Sequence, residues 1–249
     1  MRIVVNGSRG KMGQTLVAFA EEHSELEVVG EVGSGGSLAA TLARTAPDVV
    51  VDFSRPEARM ATVRTILEGN AAAVIGTSGF TGGDHAQIRQ WVSATGKGCF
   101  VAPNFLIGSV LMQTFAQLAA RYFDSAEIVE YHHETKVDHP SATALRTAEL
   151  MAEVRSDYNR ATCDAVASLD GSRGAEFSGI RIHAVRMPGF VASQEVLFGG
   201  PGQRLSLRHD SLDRTSYMPG VLLAARYIVD RAEFVYGLER ILSLGLEQR

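Results

Sequence analysis

Four very short and almost wholly apolar runs constrain the fold of this chain more than any other feature. They are Ile3-Val4-Val5, Val49-Val50-Val51, Ala72-Ala73-Val74-Ile75 and Phe100-Val101. None alternates polar with apolar residues, so each must be covered on both faces. Strands of that kind belong to parallel sheets sandwiched between helices. Leu26–Val29 reads as a further strand, and the segment from about Gln14 to Glu22 as an amphipathic helix. Pro56 marks a helix start, and Trp91 sits within another helix. The first hundred residues thus follow a doubly wound, nucleotide-binding pattern.

The rhythm changes after Asn104. Gly108–Tyr122 reads as one long helix, Glu127–Glu130 as a strand and Ser141–Arg155 as a helix, followed by a polar, exposed connection over 156–178. Three strand-like runs come next, Ile180–Arg186, Val191–Phe198 and Arg204–Arg208. Helices near Gly220–Val229 and Phe234–Leu242 close the chain. The expected fold class is α/β, an N-terminal Rossmann-type doubly wound parallel sheet plus a C-terminal α+β domain with a mixed or antiparallel sheet. The expected boundaries are 1–105, completed by the C-terminal helices of 217–249, for a dinucleotide-binding domain, and 106–216 for a substrate-binding and oligomerisation domain.

Bulk properties remove several function classes. A formal net charge of −4 argues against a general nucleic-acid binder, which needs a basic face. The two cysteines, Cys99 and Cys163, have neither a metal-ligand spacing nor a disulfide framework. Met1 runs straight into a strand-like segment, leaving no room for a signal peptide, and no apolar run is long enough to span a bilayer. The expectation is a soluble, reduced, cytoplasmic protein with no membrane and no nucleic-acid partner.

Two groups of residues carry chemistry. Gly7-Ser8-Arg9-Gly10-Lys11-Met12-Gly13 follows the first strand and opens the first helix. Glycine there lets backbone N–H groups approach a pyrophosphate at the helix N-terminus, and Arg9 and Lys11 add positive charge. Glu31 is the positional candidate for the ribose hydroxyls, while Gly33-Ser34-Gly35-Gly36 offers no second carboxylate. NADH against NADPH therefore stays open. Gly76-Thr77-Ser78-Gly79 and Ala102-Pro103-Asn104-Phe105 also follow strands, along the edge where open α/β sheets bind ligands.

The second group is His132, His133, Lys136 and Asp138, ahead of a helix opened by Pro140-Ser141. Imidazole exchanges protons near neutral pH, an ammonium favours anions, and the first N–H groups of a helix can hold a carboxylate. Metal binding is not expected, because adjacent histidines in an extended stretch point opposite ways. His23, His85, His183 and His209 read as structural or surface residues. Asp210, Asp213, Arg208 and Arg214 read mostly as a charged loop, with Arg214 the one candidate among them for a carboxylate clamp.

Taken together, the glycine turn, Val51-Asp52-Phe53, Gly76–Phe80, Ala102–Phe105, the His132–Thr143 loop, Val196–Gly199 and His209–Arg214 resemble the dihydrodipicolinate reductase family of the diaminopimelate/lysine pathway. The likeness runs end to end. The resemblance implies NAD(P)H-dependent reduction of 4-hydroxy-tetrahydrodipicolinate, a small cyclic imine dicarboxylate, by a homotetramer. It implies His132 and Lys136 as catalytic residues, with His133, the amides of Ala142 and Thr143, and Arg214 binding the substrate. The cofactor would lie on Gly7, Arg9, Gly10, Lys11 and Met12, on Gly76, Thr77 and Ser78, and on Ala102, Pro103, Asn104 and Phe105. Hydride transfer requires close stacking, so a cleft that closes and sheds water is expected.

The chain also departs from the family pattern. Ala142 stands where a glycine is usual, Gly33 where a ribose-binding acid is usual, and Thr135, His139 and Leu106 are further differences. At Ala142 a positive φ would cost roughly 1–2 kcal/mol, whereas a helical φ would make the methyl tolerable. These departures leave two alternatives open: a paralogous reductase acting on a related cyclic imine carboxylate, and a nucleotide-binding sensor without catalysis. Retention of His132 and Lys136 counts against the sensor.

Overall fold

A computed structural model of the chain describes residues 1–159 and 168–242. It divides into two compact units, one joining residues 1–107 to the chain from Arg214 onward, the other spanning Gly108–Asp213.

The first unit begins with β1 (Arg2–Asn6), α1 (Lys11–Glu21), β2 (Glu27–Val32), α2 (Leu38–Thr45) and β3 (Val49–Asp52). A 3-10 turn over Pro56–Ala58 leads into α3 (Arg59–Glu68), β4 (Ala72–Ile75), α4 (Gly82–Thr95) and β5 (Cys99–Val101). Strands β3, β4 and β5 are buried along their whole length, as their unbroken apolar character requires. Helix α2 is a finding that the sequence reading lacked. It has only eight residues and follows a glycine-rich stretch, but the Ser37 hydroxyl caps it by accepting from the Ala40 amide, and it buries Leu42.

The second unit opens with α5 (Ile107–Ala119), β6 (Ser125–His132) and α6 (Ala142–Ala152). It continues with β7 (Ala175–Phe177), β8 (Ile180–Arg186), β9 (Ala192–Gly200) and β10 (Gln203–Ser211). The five strands lie in the order β10-β9-β6-β8-β7, with β6 and β8 parallel and the other pairs antiparallel. One face of this sheet (Ala126, Ile128, Ile182, Val196, Phe198) packs on Met112, Ala116, Ala144, Ala148 and Met151 from α5 and α6. Within the segment expected to be an irregular connection, Ala175–Phe177 is instead an edge strand. Residues 160–167 of that segment, Cys163 among them, lie outside the described residues.

The chain returns to the first unit through a 3-10 turn (Arg214–Tyr217) and α7 (Met218–Ile228). It then forms β11 (Phe234–Tyr236) and a 3-10 turn over Leu238–Arg240. The expectation of a helix near Phe234–Leu242 is therefore corrected. Phe-Val-Tyr are strand formers, and β11 pairs in parallel with β5, Phe234 opposite Cys99. Gly237, at φ +96°, ends the strand with its amide donating to the Val101 carbonyl at 2.9 Å. The first unit's sheet is six-stranded and wholly parallel, in the order β11-β5-β4-β3-β1-β2. Chain progression reverses at β1, which sits between β2 and β3. Ligands of open α/β sheets settle at the carboxyl ends of strands beside such a reversal. Among the described residues no helix is long and apolar enough to cross a membrane.

Candidate active site

The carboxyl end of β1 is shaped for close approach. Gly7 has φ +83°, and a Cβ there would lie 2.6 Å from the Phe53 carbonyl oxygen; a Cβ on Gly13 would lie 2.3 Å from the Gly7 carbonyl oxygen. The turn is pinned from β2, whose Val32 carbonyl accepts from the Gly7 and Ser8 amides at 2.8 and 3.1 Å. Helix α1 starts from Gly10 with no side-chain cap, so its first amides face outward for an acceptor. A cleft of about 750 Å³ opens here, lined by Gly7, Arg9 and Gly10, by Gly33, Ser34 and Gly36, by Phe53, Ser54 and Arg55, and by the first turns of α3. No acidic side chain is among its lining residues, and Glu31, the positional candidate for the ribose, is not either. A Cβ on Gly33 would meet the Arg9 side chain at 2.8 Å, so Arg9 occupies the space where a longer residue at 33 would stand. The glycine cradle and the two arginines fit a dinucleotide's phosphates.

Of the other cofactor residues read from the sequence, Lys11 and Met12 form the first turn of α1, Gly76–Ser78 follow β4, and Ala102–Phe105 follow β5. All lie at the carboxyl edge of the same sheet, outside the residues lining that cleft. Phe53 and Phe105 meet edge to face at 6.3 Å, and a Cβ on Gly76 would clash with the Phe53 ring at 2.3 Å, which explains the glycine. Beneath these loops, fully buried Asp52 accepts from Asn6 Nδ2 at 2.6 Å and from the Ser54 amide at 3.2 Å, tying the ends of β1 and β3 together. Burial pushes the Asp52 carboxyl upward, against these hydrogen bonds.

In the second unit the expected single loop is a strand end followed by a turn. His132 is the last residue of β6, paired with Arg186 and Ala192, and His133 begins the turn. His133 Nδ1 meets the Thr135 hydroxyl at 2.7 Å, so a residue that departs from the family pattern orients this ring. Lys136 Nζ donates to both Asp138 oxygens, at 2.7 and 2.8 Å, and this hydrogen bond lowers the Asp138 carboxyl below its ordinary value.

Helix α6 starts from Ser141, whose hydroxyl accepts from the Ala144 amide at 3.2 Å while its carbonyl accepts from Leu145 at 3.0 Å. The amides of Ala142 and Thr143 are left without an acceptor among the described residues. Ala142 is the first helical residue, is exposed and is not among the positive-φ residues, so its methyl is tolerated. The Thr143 carbonyl is held by Gln113 Nε2 and Thr147 Oγ1. Arg214 opens a 3-10 turn counted with the first unit, whereas the other proposed substrate ligands belong to the second.

Two residues at this site escaped the sequence reading. Glu130 is fully buried on the inner face of β6, two residues before His132. Its Oε2 meets His132 Nδ1 at 2.5 Å and accepts from Arg186 Nη1 at 2.8 Å. Its Oε1 accepts from Arg186 Nη2 at 2.7 Å and from the Ser141 amide at 3.2 Å. Burial works to raise this carboxyl, but hydrogen bonds and charge from His132 and Arg186 outweigh it and bring it down to about 2. The available signal was the period-2 pattern of the strand, which sets Glu130 and His132 on one face.

A parallel sheet with a glycine phosphate cradle, and a separate unit carrying histidine, lysine and free helix amides, together define a nicotinamide-dependent reductase. Comparison with known proteins narrows the class. Two family models match, "Dihydrodipicolinate reductase, N-terminus" over residues 1–105 and "Dihydrodipicolinate reductase, C-terminus" over residues 108–242. The chain is 46% identical over 245 residues to a 4-hydroxy-tetrahydrodipicolinate reductase of Mycolicibacterium vanbaalenii, covering 98% of this chain and all of that one. A Listeria monocytogenes protein of the same name is 42% identical over 263 residues, again with 98% and 100% coverage. The solved dipicolinate-bound dihydrodipicolinate reductase from Paenisporosarcina sp. TG-14 superposes with a TM-score of 0.89 at 39% identity, over 97% of this chain and 99% of that one. The chain belongs to the dihydrodipicolinate reductase family.

Proposed function

We propose that the protein reduces 4-hydroxy-tetrahydrodipicolinate to tetrahydrodipicolinate with NADH or NADPH, in diaminopimelate/lysine biosynthesis. The first unit binds the dinucleotide, and the second binds the substrate and carries the subunit contacts. The observation that carries this reading is the pair of unspent amides at Ala142 and Thr143, heading an eleven-residue helix beside His132 and Lys136. A dicarboxylate needs such donors, and they grow more favourable as negative charge builds on the ring.

In this reading Gly7, Arg9, Gly10, Lys11 and Met12 hold the pyrophosphate and adenosine side of the dinucleotide, while Gly76–Ser78 and Ala102–Phe105 seat the nicotinamide. Held there, a reduced nicotinamide would supply the hydride that C4 of the ring takes up once water has left. The Ala142 and Thr143 amides and His133 hold one ring carboxylate, and Arg214 holds the other. Lys136 polarises the ring nitrogen when it turns from Asp138 to the substrate. His132 delivers the proton that completes reduction at C3, a task suited to a group whose ordinary pKa lies near working pH. The dipicolinate held by the Paenisporosarcina relative is a dicarboxylate of this kind.

The outward face of the second unit's sheet carries Val129, Tyr131, Val185 and Leu197, all partly exposed, which supports a homotetramer assembled through that face. Light scattering should give four copies, and a monomer would contradict it. Consumption of reduced nicotinamide in amino-acid synthesis suits the cytoplasm. The decisive assay supplies the product of the preceding synthase with each reduced cofactor and follows nicotinamide absorbance. Cofactor binding without turnover would refute the assignment.

A further inference from the structure

Glu130 has no part in the mechanism above, yet both of its oxygens are fully engaged. Four donors converge on its two oxygens, from β8 (Arg186 twice), the head of α6 (the Ser141 amide) and the end of its own strand (His132). Stability alone is a poor explanation for such an arrangement. Desolvating two charges offsets most of their attraction, and well-packed apolar residues commonly serve a core as well or better.

The geometry instead constrains His132. With Arg186 bound through both terminal nitrogens, Glu130 is a carboxylate, and it has no proton to donate across the 2.5 Å contact to Nδ1. The proton between them therefore sits on Nδ1, which leaves Nε2 as the nitrogen available for exchange with a substrate. The same arginine reaches further. Arg186 Nη2 also donates to the Asp138 carbonyl at 2.8 Å, and the Asp138 carboxylate holds Lys136. One connected chain of contacts thus runs from His132 through Glu130, Arg186 and Asp138 to Lys136.

We propose that Glu130 is the positioning residue of the proton-transfer site: it fixes His132 as the Nδ1–H tautomer and, through Arg186, sets the turn that presents Lys136. This rests on the reductase reading for His132 and Lys136, while the tautomer it assigns is a property of the folded protein whatever the substrate. The charged group that meets Glu130 beside His132 is Arg186 from β8, which in turn holds the Asp138 carbonyl of the turn. Gln194, opposite Glu130 on β9, is buried and uncharged.

The test is Glu130→Gln, which keeps the shape but offers the imidazole an amide whose oxygen and nitrogen can face it either way. In wild type at alkaline pH, 15N NMR of histidine-labelled protein should show Nδ1 of His132 protonated. In Glu130→Gln the resonance should move toward the other tautomer or a mixture. Turnover should fall by roughly 10²–10⁴-fold, the range expected when a general acid–base is lost or mis-protonated, with KM for cofactor and substrate changed by less than about threefold. Glu130→Asp, which keeps the charge on a shorter arm, should recover at least about tenfold of the lost kcat. Wild-type His132 protonated on Nε2 overturns the proposal, and so does a folded Glu130→Gln with unchanged kcat or with an effect on KM alone. Should Glu130→Gln fail to fold, the wild-type tautomer decides. An absence of reductase activity in wild type would sink the functional reading and leave the tautomer result standing.

Discussion

Replacing Gly13 and Gly83 by alanine, one at a time, sets helix propensity against packing with opposite expected signs. Both glycines lie in the first turn of a helix, Gly13 in α1 and Gly83 in α4. On propensity alone each exchange should stabilise, by up to about 1 kcal/mol. At Gly83 nothing opposes the gain, since an added Cβ would meet only Thr81 Oγ1, at an ordinary 3.8 Å. At Gly13 the Cβ would lie 2.3 Å from the Gly7 carbonyl oxygen and 2.7 Å from the Ser8 Cα, both backbone atoms. Gly7 cannot give way easily, because its φ is +83°, the Phe53 carbonyl oxygen stands 2.6 Å from where a Cβ on it would lie, and its amide is bonded to Val32. Overpacking costs about 1–3 kcal/mol, and a 2.3 Å contact with fixed backbone belongs in the upper part of that range, about 2–3 kcal/mol, which exceeds the propensity gain of up to about 1 kcal/mol. The net loss of about 1–2 kcal/mol should lower Tm by about 2–8 °C, at about 2–4 °C per kcal/mol for a protein of this size. Displacing the turn should also weaken dinucleotide binding by at least about tenfold, the equivalent of 1.4 kcal/mol. Thermal unfolding and a fluorescence titration with NADPH measure both effects. A Gly13→Ala protein as stable as wild type, with unchanged cofactor affinity, would refute the reasoning; Gly83→Ala controls for propensity.

Four further outcomes are expected. His132→Ala should lower kcat by about 10²–10⁴-fold with little change in KM, whereas Lys136→Ala should impair both; steady-state kinetics separates the two. Arg9→Ala should cut kcat/KM for NADPH about 10–100-fold more than for NADH, because a guanidinium in a cleft lined by no carboxylate suits a 2′-phosphate; equal losses with both cofactors would contradict it. Ala142→Gly should leave kcat/KM within about a factor of three, an effect below about 0.7 kcal/mol, because the alanine already has helical backbone geometry; a larger gain would show that the methyl restricts the substrate. Glu130, held down to about 2, contributes stability that is fully present above its ordinary value of 4.5 and is lost as pH falls from 4.5 toward 2. Acid titration of Tm should therefore be steeper across that window for wild type than for Glu130→Gln.

The doubly wound sheet was legible because its information is local. Val49–Val51 and Ala72–Ile75 are apolar without alternation, and a residue buried on both faces announces that in its own composition. Gly7 and Gly13 were legible for the same reason, since each answers a steric demand a few residues away. The end of the chain was not. Phe234-Val235-Tyr236 has only three residues, and its partner β5 lies 135 positions earlier, Phe234 against Cys99. Three residues carry no period that separates a strand from one turn of a helix. Helix α2 failed for a related reason: its eight residues rest on one cap and two or three buried contacts.

The candidate site of the second unit divides along the same line. His132, His133 and Lys136 could be singled out as candidates because titratable residues crowded into one short stretch are improbable as surface chance. Arg186 was not, because it reaches Glu130 across 56 residues of sequence through a parallel pairing that no local pattern specifies. Glu130 lay between these cases. Residues 126, 128, 130 and 132 share one strand face, and Ala126 and Ile128 mark that face as core. An acidic residue in such a row, two places before a candidate histidine, has no solvent to turn to and must find a cation or a proton. That demand could have been stated from the sequence, although the residue that answers it could not. A charge forced onto a core face should therefore be read as part of the site beside it, and Glu130→Gln tests that rule here.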